Sequence, residues 1–438
     1  MRPILHGSFW VGIYLVISGA PLFVLLVGAT PPGRGFWREL SVALGFLGLS
    51  MMGWQFYLTG RFTSITSPYG IDVVYHFHRL VSLIAFSFLV LHPVILLASS
   101  PATGGLLVST ASPWWMVAGV GGLLGFAVVI ATTLLRARAG LSYERWRALH
   151  GYVSVAAVAL SLGHVVGVNY YVQAPPKRWL WICMGLAWVL ALVHVRLVKP
   201  LLMRRRPYTV TRVERQRGNS WVLELSPEGH AGMSFRPGQF AWLTMGKSPF
   251  AIREHPFSLS SSAMNPGRLE MTIKELGDFT RRIGATAPGT RAYLDGPYGS
   301  FTIDRHPAPG YVLIAGGVGI APVMSIMRTM RDRGDRRPVV LFYGIRRWED
   351  ATHREEIAEL GRGLRLKSVY VAEEAPDGWD GERGLVSAEI MARHLPEERM
   401  DFQYFVCGPR LMQVAVKQAL DELGLPLERV QSESFNFV

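Results

Sequence analysis

His78-RLVSLIAFSFLVL-His92 and His150-GYVSVAAVALSLG-His164 are the two stretches from which the rest of the chain can be read. In each, the histidines stand fourteen positions apart, i to i+14. At about 100° per residue that is roughly 1400°, some 40° short of four turns, so both histidines of a pair share one helix face. The rise between them is about 21 Å, most of the way across a hydrocarbon core of roughly 30 Å. Imidazole is costly in lipid unless it points inward to a partner, and neutral imidazole is a common axial ligand of haem iron. Two such helices face to face predict two stacked bis-histidine haem sites, with His78, His92, His150 and His164 as ligands. A lone membrane histidine is more often a packing donor, and His76, His194 and His6 are read so. His76 stands about 160° around the helix from His92.

The chain has 438 residues, room for two to three domains, and half of them are hydrophobic. The apolar share is uneven: residues 1–200 hold long apolar runs, whereas 201–438 have an ordinary soluble composition. Cys183 and Cys407 are the only cysteines, which excludes a disulfide framework or a zinc cluster. A net charge of +13 raises nucleic acid as a partner, but the basic residues collect at one set of helix ends and do not interleave with aromatics, so nucleic acid is set aside. The first apolar run, 8–28, exceeds the 7–15 residues or so of a signal-peptide core and is expected to remain as an uncleaved span.

Six runs are long enough to span: 8–28, 39–58, 73–99, 114–135, 148–168 and 179–198. Arg2, Arg61, Arg79, Arg136, Arg138, Arg145, Arg147, Arg196, Lys199, Arg204, Arg205 and Arg206 lie at one set of ends, and only Arg34, Arg38, Lys177 and Arg178 at the other. That bias places both termini in the cytoplasm. The histidine pairs fall on the third and fifth spans, which run the same way, so His78 and His150 meet near the inner side and His92 and His164 near the outer. Arg79, Arg145 and Arg147 either neutralise propionates of the inner haem or serve the charge bias alone. The outer loops are too short to build a domain.

After the basic linker Lys199–Arg206, alternating segments such as Tyr208–Val213, Trp221–Leu225, Phe235–Trp242 and Leu269–Lys274 predict a small antiparallel β-barrel over 207–305. From Tyr311 the rhythm becomes strand, glycine loop, helix. Tyr311–Ala315 is a buried strand, Gly316-Gly317-Val318-Gly319 a turn that lets backbone approach a phosphate, and Ile320 onward a helix whose N-terminus favours an anion. Strands at 338–343, 366–371 and 402–406 complete a doubly wound α/β Rossmann-like domain over 306–438, with Phe405-Val-Cys-Gly-Pro409 at its ligand-binding edge.

Arg253-Glu-His-Pro-Phe-Ser-Leu-Ser-Ser261 resembles the flavin motif of the ferredoxin–NADP reductase-like module. With the histidine pairs, almost the whole chain resembles the NADPH oxidase and ferric reductase superfamily. The fold so implied is a six-helix transmembrane di-haem bundle followed by that module, its β-barrel binding FAD and its α/β domain binding NAD(P)H. The resemblance implies that His255, Pro256, Phe257 and Ser258 hold the FAD, with Ser258 near the flavin ring. It implies that Lys274 and the turn Gly277-Asp278-Phe279-Thr280 meet the FAD phosphates. Asp295-Gly-Pro-Tyr-Gly299 is similar to the family's strand end beside the nucleotide. Gly316, Gly317, Gly319 and Pro322 would cradle the NAD(P)H pyrophosphate, and Cys407, Gly408 and Pro409 would flank the nicotinamide. Phe435, with Phe437 as the fallback, would cap the flavin. Two departures stand out. Eukaryotic oxidases of this family tend to have one residue fewer between the fifth-span ligands, and they place a histidine where this chain has Leu96. Both weigh against dioxygen as the acceptor.

The expected cofactors are FAD, two haem b groups and NADPH, with NADH as the alternative donor. Arg346 and Arg347, after the second Rossmann strand, suit the 2′-phosphate of NADPH. The expected reaction takes electrons from cytoplasmic NADPH to a small acceptor outside, with dioxygen reduced to superoxide as the lead. A ferric chelate or a periplasmic partner protein is the alternative. The expected place is a bacterial inner membrane.

Overall fold

The computed structural model describes residues 2–28, 31–66, 70–99, 112–251 and 253–433. Phe435 and Phe437 lie outside the described residues. The chain divides into two compact units, 1–69 with 73–198, and 70–72 with 199–438.

Apart from residues 71–72 and 199–204, which fall in the second unit, the first unit holds the apolar helices α1 (Arg2–Leu25), α2 (Phe36–Thr59), α3 (Ile71–Ser99), α4 (Trp114–Leu134), α5 (Tyr143–Val168) and α6 (Pro175–Arg204). Each of the six expected spans is met by a helix long and apolar enough to cross a membrane. Their ends follow local chemistry. Ser142 caps α5 by accepting the Arg145 N–H at 3.4 Å, and Asn169 ends it in the left-handed conformation, φ 55°. Pro175 and Pro176 open α6, where their missing N–H groups cost nothing. Large apolar side chains such as Leu15, Val94, Leu124 and Leu186 face outward, as a lipid-facing surface requires. Inside, glycines let helices close up. A Cβ on Gly53 would lie 2.2 Å from the Trp188 ring of α6, and one on Gly125 2.9 Å from Ala157 Cβ of α5.

The second unit opens with a curled antiparallel sheet in the order β4-β3-β6-β1-β2-β5. Its strands are β1 (Tyr208–Gln216), β2 (Ser220–Pro227), β3 (Phe240–Met245), β4 (His255–Ser258), β5 (Leu269–Lys274) and β6 (Arg291–Tyr298). The two edges approach each other beyond β4, through a bridge between Leu259 and Met271 and a bond from Ser260 N to Glu270 O. Phe235–Gln239, expected to continue the strand pattern, is instead a turn. Pro237 cannot donate to a ladder, and Gly238, at φ 93°, has its Cβ position 2.1 Å from Phe301 O. Alternate β5 residues Leu269, Met271 and Ile273 fill the interior and leave Glu270, Thr272 and Lys274 on the other face.

A parallel sheet in the order β10-β9-β8-β7-β11-β12 follows. Its strands are β7 (Tyr311–Gly316), β8 (Val339–Arg347), β9 (Leu366–Glu374), β10 (Glu382–Arg383), β11 (Gln403–Cys407) and β12 (Val430–Glu433). Helices α7 (Ile320–Asp332), α8 (Arg354–Gly363), α9 (Ala388–His394) and α10 (Arg410–Glu422) connect them. Strand order reverses between β7 and β11, so their carboxyl ends open the crevice where such sheets take ligands.

Candidate functional site

In the first unit the pairs foreseen from spacing face each other across α3 and α5. The ring centroids of His78 and His150 are 6.5 Å apart, and those of His92 and His164 are 6.3 Å apart. With metal–imidazole bonds of about 2.0–2.1 Å, two opposed imidazoles sharing one ion have centroids roughly 6–6.5 Å apart. The spacing fits a shared metal. His194, by contrast, stacks on Phe62 at 5.3 Å, a packing role.

Each imidazole is oriented through Nδ1. His92 Nδ1 lies 2.8 Å from Ser41 O, and His164 Nδ1 lies 2.8 Å from Trp115 O. His78 Nδ1 lies 2.7 Å from Gln55 Oε1, while the Gln55 amide nitrogen donates to Tyr14 Oη and Met51 O. His150 Nδ1 lies 3.3 Å from Thr133 Oγ1, whose own hydrogen goes to Val129 O. All four acceptors demand an Nδ1–H, which leaves every Nε2 lone pair for a ligand. Ser41, Gln55 and Thr133 belong to no periodic pattern, so sequence reading missed them.

Glycine makes room for two of these rings. A Cβ on Gly45 would stand 3.1 Å from His92 Nδ1, and one on Gly119 2.7 Å from His164 Nδ1. Between His92 and His164 opens a cavity of about 390 Å³, largely apolar, lined by Phe46, Leu89, Leu96, Phe126 and Val165 with Arg34 and Arg38. The Arg34 guanidinium lies 3.7 Å over the Tyr170 ring, and its Nε has no hydrogen-bond partner among the described residues. An apolar slot with cations in its lining suits a flat macrocycle carrying carboxylates.

In the second unit, β3 and β4 pair so that Phe240 opposes Ser258 and Leu243 opposes His255. The Ser258 hydroxyl is buried with no partner among the described residues, as expected of a group that awaits a ligand. His255 stacks on Phe279 at 4.0 Å, with Phe257 beyond at 6.1 Å from the same ring. Thus the turn Gly277–Thr280 and the strand His255–Ser258, far apart in sequence, form one aromatic wall. Thr280 Oγ1 accepts the N–H groups of Leu276 and Gly277 at 2.8 and 2.9 Å, so that hydroxyl shapes the turn. Lys274, expected among FAD phosphates, also reaches the nucleotide loop: a Cβ on Gly317 would lie 3.9 Å from its Nζ. Asp295 is held by Tyr298 Oη at 2.6 Å and by Lys199 Nζ at 3.5 Å.

At the crevice the loops after β7 and β11 touch through glycine. A Cβ on Gly319 would lie 2.1 Å from Cys407 O, and one on Gly408 3.1 Å from Gly316 N. Gly317 adopts φ 53°, which favours glycine, and Pro322 fits the first turn of α7. Cys407 is fully buried, and its thiol is pushed well up by burial and by Glu433 nearby. Glu433 pairs in register with Cys407, and burial drives its carboxyl well above the usual range. Sequence reading gives Glu433 no role of its own, because the tail Glu433-Ser-Phe435-Asn-Phe437 is singled out only for its aromatic residues. Arg346 and Arg347 do sit at the end of β8, but each is held by a carboxylate: Arg346 Nε by Glu374 at 2.8 Å, Arg347 Nε by Asp350 at 3.3 Å.

The chain matches a ferric reductase-like transmembrane component over residues 44–161, an FAD-binding domain over 216–302 and an oxidoreductase NAD-binding domain over 313–418. It is similar to the reductase component of propane 2-monooxygenase from Rhodococcus jostii, 32% identical over 235 residues, 52% of this chain and 62% of the relative. NADH-cytochrome b5 reductase 1 of Candida albicans is 32% identical over 39% of this chain and 61% of its own length. The chain therefore covers less than two thirds of either relative. A flavohemoglobin structure from Malassezia yamatoensis, with bound FAD and heme, aligns over 91% of this chain and 98% of that one, at 17% identity and a TM-score of 0.50, a likeness of fold.

Proposed function

We propose, from the NADPH oxidase and ferric reductase architecture that this chain has, that it carries electrons from NADPH through FAD and two haems to a small acceptor across the membrane. The observation that carries this reading is the pair of facing histidine couples at 6.5 and 6.3 Å with every Nδ1 engaged. When bound, FAD supplies hydride acceptance and one-electron release, and bis-histidine haem supplies one-electron transfer without an open coordination position.

The residues then have separable tasks. His78 with His150, and His92 with His164, would ligate one iron each through Nε2, and Gln55, Thr133, Ser41 and the Trp115 carbonyl would fix their tautomers. Ser258 would bond the flavin ring, and His255, Phe257 and Phe279 would form the wall beside it. Gly316, Gly317, Gly319 and Pro322 would receive the pyrophosphate, with Lys274 as a nearby cation. Cys407, Gly408 and Pro409 would bound the nicotinamide. Arg346 would exchange Glu374 for the 2′-phosphate of NADPH, which favours NADPH over NADH. Arg34 and Arg38 would meet haem carboxylates at the outer cavity. Both termini would be cytoplasmic, in a bacterial inner membrane.

At the acceptor, NADPH and two dioxygen would give NADP⁺, one proton and two superoxide. The apolar Leu96 beside the outer pair leaves a ferric chelate as the second reading. The test is cytochrome c reduction, with and without superoxide dismutase, beside ferric-chelate reduction, each with NADPH and NADH. Dismutase-sensitive reduction faster than chelate reduction is the expected result. Chelate reduction alone would replace dioxygen with ferric iron, and equal kcat/KM for both nucleotides would remove the role given to Arg346.

A further inference from the structure

We infer that a polar stripe on α7, centred on Arg328, is a latch that sets the flavin site against the nicotinamide crevice, with Arg328 as a positioning residue for hydride transfer. Helix α7 begins at the nucleotide loop and is otherwise buried among apolar neighbours: Val323, Met324, Ile326, Met327 and Met330 are all fully buried. Ser325, Arg328 and Thr329, spaced i, i+3 and i+4, share one face. That face grips the backbone just beyond β4. Ser325 Oγ donates to Ser261 O at 2.8 Å, Arg328 Nη1 donates to Ser260 O at 2.7 Å, and Ala263 N donates to Thr329 Oγ1 at 2.9 Å.

Arg328 binds three elements together. Beyond Ser260 O, its Nη1 reaches Glu270 Oε2 of β5 at 2.7 Å, and Nε and Nη2 take both oxygens of Glu356 in α8 at 2.6 Å each. The forked pairing with Glu356 and the bond to a main-chain carbonyl need a planar guanidinium, which lysine does not supply. Its side chain is only 11% exposed. A buried ion pair is weak evidence of stabilisation, since apolar packing often does as well; what the pairing supplies is direction. Ser260 stands two residues, about 7 Å, beyond Ser258, and Arg328 eight residues, about 12 Å of helix, beyond Ile320. The latch thus fixes the strand that carries Ser258 against the helix that follows the loop Gly316–Gly319. Hydride transfer is steep in geometry, and a misplacement of about 1 Å can cost roughly a hundredfold.

The latch rests on the reading that His255–Ser258 holds the flavin and Gly316–Gly319 the nucleotide. Its test is anaerobic stopped-flow bleaching of the flavin by NADPH in the full-length, cofactor-loaded protein. Arg328→Gln should lower the limiting bleaching rate per bound FAD by about tenfold or more, with the Kd for NADPH little changed. Arg328→Lys should fall between, and the long-wavelength band of nicotinamide stacked on flavin should weaken in step. Thr329→Val and Ser325→Ala, which each remove one contact, should give smaller losses of about two- to fivefold. A limiting rate per FAD that stays native in Arg328→Gln would overturn the latch. Should that variant lose its FAD, native rates in Thr329→Val and Ser325→Ala would overturn it equally. A wild-type flavin that neither NADPH nor NADH bleaches would instead sink the site assignment on which the latch rests.

Discussion

At the scale of single residues, what distinguishes the four proposed ligands from the other histidines is a fixed Nδ1 together with a second imidazole opposite. His164 has both, through Trp115 O and His92. His76 stands out of phase with His92 on their helix. His164→Leu should therefore leave about half the Soret absorbance per FAD, and His76→Leu should leave it whole, because a haem proposed to be held between two histidines should not be retained by one. Two low-spin haems in His164→Leu would refute the assignment.

At the scale of elements, the site depends on how closely helices approach. Trp115 and Gly119 of α4 hold the Nδ1 edge of the His164 ring of α5 close to the α4 backbone, and a side chain at Gly119 would meet Nδ1 at 2.7 Å. Gly119→Val should push the ring off Trp115 O and empty the outer site. Gly121→Val is the control, because its Cβ would meet only the flexible end of Leu160 at 3.3 Å. Haem per FAD, measured by pyridine haemochrome, is expected to halve in the first and hold in the second. If both variants keep two haems, the close approach of α4 is not what seats the ring.

At the scale of the whole molecule, the flavin and nucleotide halves of the second unit are joined by charge at Arg328, which pairs with Glu270 on the flavin side and, on its own side, with Glu356. Burial by itself would raise that carboxyl, but hydrogen bonds from His353 and Arg328, and their charges, hold it at about 2. An acid lowered on folding stabilises the fold above its unfolded pKa of about 4.3, and that contribution is lost as pH falls through the folded value. Wild type should thus release flavin at a higher temperature than Glu356→Gln near neutral pH. The gap should close between about pH 4.5 and pH 2. A gap that does not vary with pH would show that Glu356 acts through packing alone.

The membrane helices, the histidine pairs and the alternation of strand and glycine loop were legible in the sequence because each is a short-range periodicity. A helix repeats every 3.6 residues or so and a strand every two, so the faces of Leu269–Lys274 and of His78–His92 follow from local spacing alone. Spacing by itself also set the two histidines of each pair on a common face. Nothing local announced Ser41, Gln55, Thr133 or Glu433, since each acts on a residue from 17 to 51 positions away, or on a neighbouring strand. The same is true of Arg328, whose partners Ser260 and Glu270 lie 68 and 58 residues back. In sequence it is one more arginine near the end of an amphipathic helix. Only the packing of that helix on the flavin sheet desolvates it and gives its four bonds a direction.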